Sequence, residues 1–222
     1  MQNDLVIFGA GGFGRELHQI VEDLNENKKV WNFIGFLDGD TQIIGKEVHD
    51  YPILGNTEWL EKHPQTSVVV SIGKPAIRKK IVQQITKMGH SRFARLIHPT
   101  AWIGNRVEIG MGTVILAGAL ISTDIQVGRH AIINRNCTIG HDVFIDDFVT
   151  IAPSANITGS THVGEGCDLG SACTFVNGAS IGKWSVVGAG AVVPKDLPPN
   201  ITAVGVPAKA IKERPDGWHE KI

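Results

Sequence analysis

The chain has few aromatic residues, a single tyrosine, three cysteines, no excess of either charge and no long apolar run. Each shortage excludes something. Lysine and arginine number 21 against 22 aspartate and glutamate, a balance that argues against a protein holding nucleic acid or a membrane surface by charge. No apolar stretch approaches the roughly 18 residues of a membrane span. Residues Met1 to Asp4 lack the basic start of a secretory signal, so a soluble cytoplasmic protein is expected. What is abundant is glycine, 26 residues in a chain of 222, long enough for two modest domains.

From Ile97 to Val193 every sixth residue is aliphatic or Phe: Ile97, Ile103, Ile109, Ile115, Ile121, Val127, Ile133, Ile139, Ile145, Ile151, Ile157, Val163, Leu169, Phe175, Ile181, Val187 and Val193. Neither a 3.6-residue helix nor a two-residue strand generates that period; a solenoid does. Four positions later the residue is usually small or β-branched, as at Ala119, Ala131, Ala155 and Ala191, and Cys137, Cys167 and Cys173 share this position. The cysteines therefore read as core filler, not as a redox pair or metal site. Glycine commonly follows the large residue, at Gly104, Gly128, Gly140 and Gly164 among others, where a tight corner would need an unhindered backbone. The pattern predicts a parallel β-helix of hexapeptide repeats, three hexads or about 18 residues to each triangular coil.

The first 95 or so residues read differently. A strand, Leu5–Phe8, leads into Gly9, Gly11 and Gly14 in the pattern GxGxxG, and then into an amphipathic helix through Leu17, Ile20, Val21 and Leu24. Further strands are expected over Phe33–Leu37, Ser67–Ile72 and Phe93–Ile97, with a helix from about Ala76 to Met88. Alternating strand and helix predicts a small parallel, Rossmann-like sheet. The expected organisation is thus an α/β domain over residues 1–95 and a β-helix with a C-terminal tail over residues 96–222.

Glycines followed by Asp38 are the usual sign of a dinucleotide site, with Gly11 and Gly12 letting a phosphate approach the helix N-terminus. A nucleotide sugar uses the same features, and about four strands suit a mononucleotide better than NAD. A packing lobe without ligand remains a third possibility.

With both lobes read, the chain resembles, over essentially its full length, the bacterial hexapeptide-repeat sugar acyltransferases of the sialic acid O-acetyltransferase and nucleotide-linked 4-amino-sugar N-acetyltransferase type. The residues that carry the resemblance are Ile7–Glu16, Phe36–Asp38, Ile72–Gly73, Ile139–Asp142, Val193–Pro198 and Gly205–Lys209. It implies a left-handed β-helix, a homotrimer, and acetyl-CoA lying in the groove between neighbouring solenoids.

His141 stands two positions past the inward Ile139, where a side chain should leave the prism. An amine must lose a proton before it can attack a thioester, and neutral imidazole suits that task near pH 7. The resemblance makes His141 the general base, Asp142 its orienting carboxylate and Gly159 the oxyanion donor. It places Asn134 near the sugar or the imidazole and Thr150 beside the acetyl group, where some relatives carry a second histidine. Gly11, Gly12, Phe13, Asp38, Gly73 and Lys74 are candidates for the nucleotide sugar. Gly188, Gly190, Pro194 and Lys209 are candidates for CoA, with Lys209 meeting a phosphate. His130 and His162 read as solvated or interface residues, and the tail past Arg214 as loosely ordered.

A zinc site is an alternative to consider, since a carbonic anhydrase class builds its metal histidines on the same β-helix, in a pattern with two of them five residues apart. No such pair occurs in this solenoid. The expected reaction is direct acetyl transfer to the 4-amine of a GDP-, UDP- or dTDP-linked sugar, with no metal and no acyl-enzyme. Two alternatives stay open: O-acetylation of sialic acid or another surface sugar, and a binding scaffold without turnover. O-antigen (lipopolysaccharide), capsule and protein glycan are equally compatible destinations for the product.

Overall fold

The computed structural model describes residues 3–222; Met1 and Gln2, at the head of the stretch read for a leader, lie outside the described residues. The chain divides into two compact units, one comprising residues up to Gly73 with Ile77–Pro99, the other Lys74–Ala76 with Thr100–Ile222. No helix among the described residues is long and apolar enough to cross a membrane.

In the first unit, β1 (Asn3–Phe8), α1 (Gly12–Asn27), β2 (Trp31–Leu37), β3 (Glu47–Val48), β4 (Tyr51–Gly55), β5 (Ser67–Val70) and α2 (Pro75–Lys87, whose first two residues fall in the other unit) follow in order. The sheet order is β3-β4-β2-β1-β5, parallel except for the β3–β4 pair. Strand β1 is paired on both sides, by β2 and β5, and its Leu5, Val6 and Ile7 are fully buried. Helix α1 lays Leu17, Ile20 and Val21 into the core, as its apolar spacing predicts.

The sheet has five strands instead of the expected four. The β3–β4 hairpin is short, largely half-buried and interrupted by Pro52, so it carries no period-two signal. The expected strand over Phe93–Ile97 reduces to a bridge from Phe93 to Val68 and a two-residue strand, Leu96–Ile97. Strand β5 stops at Val70 because Ser71 turns its hydroxyl back to the carbonyls of Phe8 and Gly9, at 2.8 and 2.9 Å.

The second unit is a three-faced parallel β-helix. Strand pairs recur every 18 residues: Ile121 pairs with Ile139, Ile139 with Ile157, Ile157 with Phe175 and Phe175 with Val193 on one face. Val127, Ile145 and Val163 align on the second face, and Ile115, Ile133, Ile151, Leu169 and Val187 on the third. From Ile115 to Val193 every member of the hexad series is buried. Ile97, Ile103 and Ile109, in the earliest hexads, are only half-buried. Cys137, Cys167 and Cys173 are buried at the small inward position.

The corner glycines have a different cause from the one expected. The left-handed backbone falls three residues after the inward residue, not one, and is carried there by Arg106, Asp124, His130, Asp142, Phe148, Ser160 and Trp184 as well as by glycines. Glycine directly after the inward residue answers a packing demand. A Cβ on Gly140 would lie 2.5 Å from Gly159 N, and one on Gly128 2.6 Å from Asp147 N, both in the next coil. Coils stacked at about 4.8 Å leave no space for it.

At the left-handed position of one corner the rings stack along the solenoid. His130 is 4% exposed and lies parallel to Phe148 at 5.3 Å, so it is a packed residue and not the solvated or interface one expected. Trp184 carries His219 at 3.6 Å, Trp218 donates its indole N–H to the Trp184 carbonyl at 3.3 Å, and Arg214 sits 4.3 Å over the Trp218 ring. The tail past Arg214 is therefore docked on the solenoid, against expectation. No periodic signal announces it, because the contact is made by single rings.

Candidate active site

His141 owes its position to the hexad. Ile139 fills the prism, Gly140 abuts the next coil, and Val143 turns inward again, fully buried. The two residues between them are pushed out at the corner. Asp142 adopts φ +56°, a conformation that Asp tolerates better than most residues. It brings the carboxylate back onto its neighbour: His141 Nδ1 to Asp142 Oδ2 is 2.8 Å. With Nδ1–H donated to the carboxylate, Nε2 is the unprotonated nitrogen of a neutral ring. Both side chains are more than half exposed, so the pair orients the ring more than it stabilises the fold.

Gly159 lies one coil further along the same corner. The position a Cβ would occupy there is 2.7 Å from both Cε1 and Nε2 of His141 and 3.0 Å from Asn177 Oδ1. Gly159 is buried, its carbonyl accepts from Gly178 N at 2.9 Å, and its own N–H donates to no group among the described residues. The His141 ring thus stands against the side-chain position of Gly159, a residue whose N–H has no acceptor among the described residues. Asn177 was missed by sequence reasoning. Its signal was there: it follows Phe175 by two residues, as His141 follows Ile139, two coils later.

The other candidates of this unit are dispersed around one protomer. Pro194, exposed, lies on the corner line that bears His141. Asn134 lies at the corner after Ile133, its Oδ1 accepting from Arg135 N at 2.9 Å, and Gly188 and Gly190 follow Val187 on that same corner line. Gly188 is closely packed, a Cβ there meeting Val204 Cγ1 at 2.7 Å, whereas Gly190 is open. Thr150, 8% exposed, is on a strand of the third face. Lys209 is exposed at the start of the strand Lys209–Glu213. Within a single chain these residues do not converge on His141. His162 is exposed and pairs with Asp146 at 3.1 Å.

In the first unit the glycine loop stands where the parallel strands end. Gly9, at φ +109°, makes the turn, and Gly14 must be glycine because a Cβ there would overlap the Gly9 carbonyl. Gly11 and Gly12 are different: both are exposed, with nothing near a Cβ on Gly11 and only the Arg15 guanidinium, at 3.8 Å, near one on Gly12. Helix α1 starts there without a side-chain cap or an acidic first turn. Such an end has unpaired N–H groups facing out. Asp38 caps the loop, accepting from Ala10 N at 2.8 Å and Asp40 N at 2.9 Å. Its carboxylate keeps further lone pairs for a ligand. Gly73 is exposed and open, held by buried Arg78, which donates to the carbonyls of Ile72 and Gly73 at 2.6 and 2.9 Å. Phe13 is half-buried and Lys74 exposed.

Burial pushes the Cys137 thiol up to about 11 and the Cys167 and Cys173 thiols to about 12, so none is an available nucleophile. Among the described residues no group of three or more His, Cys, Asp and Glu could hold a metal ion.

Comparison with known proteins places this arrangement. The family described as the PglD N-terminal domain matches residues 4–85. The chain is 29% identical to GDP-perosamine N-acetyltransferase of Escherichia coli O157:H7, over 94% of this chain and 96% of that protein. It is 32% identical to galactoside O-acetyltransferase of Lactococcus lactis, over 67% of this chain and 71% of that protein. The crystal structure of PerB from Caulobacter crescentus, in complex with CoA and GDP-perosamine, superposes with a TM-score of 0.85 at 29% identity, covering 95% of this chain and 98% of that one. The chain belongs to the hexapeptide-repeat sugar acyltransferases.

Proposed function

We propose that this chain is an acetyl-CoA-dependent N-acetyltransferase acting on the 4-amino group of a nucleotide-linked amino-deoxy sugar, of the GDP-perosamine or UDP- or dTDP-4-amino-6-deoxy type. The observation that carries the reading is the His141–Asp142 pair at 2.8 Å, with Nε2 lying 2.7 Å from where a Cβ of Gly159 would stand. The full-length likeness to a GDP-perosamine N-acetyltransferase supports the substrate class. The open Gly11–Gly12 loop at an uncapped helix end, flanked by Asp38 and Gly73, supports a phosphate-bearing acceptor.

In this mechanism the sugar amine attacks the thioester carbonyl carbon directly. His141 Nε2 takes the amine proton as the C–N bond forms, a service worth about 10² to 10⁴ in rate. The carbonyl electrons move onto oxygen, where the Gly159 N–H receives them; one such donor contributes about 3–4 kcal/mol. The intermediate collapses, the C–S bond breaks, and the imidazolium returns its proton to the departing CoA thiolate. Phe13 and Lys74 are assigned to the acceptor and Lys209 to CoA. Asn134, Thr150, Gly188, Gly190 and Pro194 contribute across neighbouring solenoids of a homotrimer, which reconciles their dispersal in one chain with a shared site. The enzyme is cytoplasmic, and its product feeds O-antigen (lipopolysaccharide), capsule or protein-glycan synthesis.

The test is CoA thiol release from acetyl-CoA with GDP-, UDP- and dTDP-linked 4-amino sugars, and sialic acid, offered in parallel. Turnover on one amine confirms the class and names the nucleotide. Release with sialic acid alone transfers the assignment to O-acetylation, the chemistry named for the Lactococcus relative. CoA binding without turnover on any acceptor leaves a binding protein.

A further inference from the structure

Three residues one coil apart share the same outward position, two past an inward apolar residue: His141 after Ile139, Gly159 after Ile157 and Asn177 after Phe175. They follow one another along a single edge of the prism at about 4.8 Å per coil. Only the middle one has no side chain, and both neighbours lean over it. One point, where a Cβ of Gly159 would be, is 2.7 Å from His141 Nε2 and 3.0 Å from Asn177 Oδ1. The imidazole and the carboxamide therefore flank the place a Gly159 side chain would take, and the Gly159 N–H donates to no group among the described residues. The Asn177 side chain is itself exposed and makes no hydrogen bond among the described residues.

We propose that Asn177 is a further catalytic residue of this centre, its carboxamide N–H donating to the thioester oxygen as that oxygen becomes an oxyanion, alongside the Gly159 N–H. The inference rests on the acetyl-transfer reading above. An oxyanion needs donors converging on it from fixed positions, and one backbone N–H is half of the usual pair. A carboxamide offers two N–H groups and can neither act as a base nor remain charged beside imidazolium; a half-turn about Cβ–Cγ presents Nδ2 in place of Oδ1. Asn177 stands on the side of Gly159 away from His141, one coil before Pro194 on the same edge. That direction leads from the base, where the amine loses its proton, toward the coils assigned to CoA. As the C–N bond forms, the carbonyl π pair moves onto oxygen and is held by the two donors; on collapse it returns and the C–S pair leaves on sulfur.

The test uses the full-length protein with acetyl-CoA and the amine acceptor it turns over, comparing Asn177→Ala and the isosteric Asn177→Asp, which has no N–H to donate. Both variants are expected to lose about 10²-fold in kcat. The KM for the acceptor, CoA affinity by calorimetry and the melting temperature should stay close to wild type. Asn177→Asp turning over as wild type, Asn177→Ala within threefold of wild-type kcat, or a loss confined to the acceptor KM each overturns the assignment while acetyl transfer itself stands. A wild-type protein that turns over no acceptor overturns both.

Discussion

Gly159 faces the imidazole of His141 so closely that a Cβ there would stand 2.7 Å from both Cε1 and Nε2. Nothing in the backbone prevents alanine at this position, since Gly159 is not among the left-handed residues. What gives way is the exposed ring. Gly159→Ala should therefore fold and melt like wild type but displace the His141 imidazole by a good fraction of an ångström. A misplacement of about 1 Å can cost about 10² in rate. The expected outcome is at least a tenfold loss of kcat with CoA affinity unchanged; wild-type turnover would mean that the contact has no part in catalysis.

Replacing His141 by Asn removes the proposed base without filling the corner. Turnover should fall at least a hundredfold while CoA binding and assembly persist, and a variant within threefold of wild type would exclude His141 as the base. Asp142→Asn should be milder. Asn accepts the left-handed backbone at φ +56°, and a carboxylate 62% exposed contributes a well-screened field. A loss of about tenfold is expected, measured by initial rates of CoA release.

The three thiols make stability depend on alkaline pH in a definite direction. Their folded pKa values, about 11 for Cys137 and about 12 for Cys167 and Cys173, lie above the ordinary 9.0 because burial disfavours the thiolate. As pH rises through 9 the unfolded chain releases these protons first, so stability is complete below pH 9 and declines toward pH 12. The melting temperature should drop over that window, and a Cys137→Ala, Cys167→Ala, Cys173→Ala variant should drop less steeply. At pH 8 iodoacetamide should label none of the three in the native protein and all three in guanidinium, read by mass.

Much of this was legible because one rule repeats. A six-residue alternation fixes which side chain fills the prism, and the 18-residue pairing of Ile139 with Ile157 and Ile157 with Phe175 follows from it. The outward placement of His141 was legible for the same reason, two residues past Ile139, whereas its proposed role came from the family resemblance. Asn177 has the same offset from Phe175, but without an acidic neighbour it looks like any other polar corner residue until stacking sets it two coils from His141 on one edge. The reason for glycine at Gly140 also escaped the sequence, since the clash it avoids is with Gly159 N in another coil. The docked tail and the β3–β4 hairpin depend on isolated contacts, such as His219 on Trp184, that no period announces.

The glycine loop holds close-packed and open glycines, and the two kinds should respond oppositely to alanine. At Gly14 a Cβ would overlap the Gly9 carbonyl, rigid backbone at the join of β1 and α1. Gly14→Ala should therefore lower the melting temperature sharply or abolish soluble expression. At Gly12, the first residue of α1, only the flexible Arg15 guanidinium is near, and alanine favours a helix over glycine by about 1 kcal/mol. Gly12→Ala should melt at or above the wild-type temperature. If a diphosphate approaches this backbone, the methyl group blocks it: the KM for the nucleotide-linked amine should rise about tenfold or more, with CoA affinity unchanged. An unaltered acceptor KM in a stable Gly12→Ala protein would remove the loop from the acceptor site and leave it the role of joining β1 to α1.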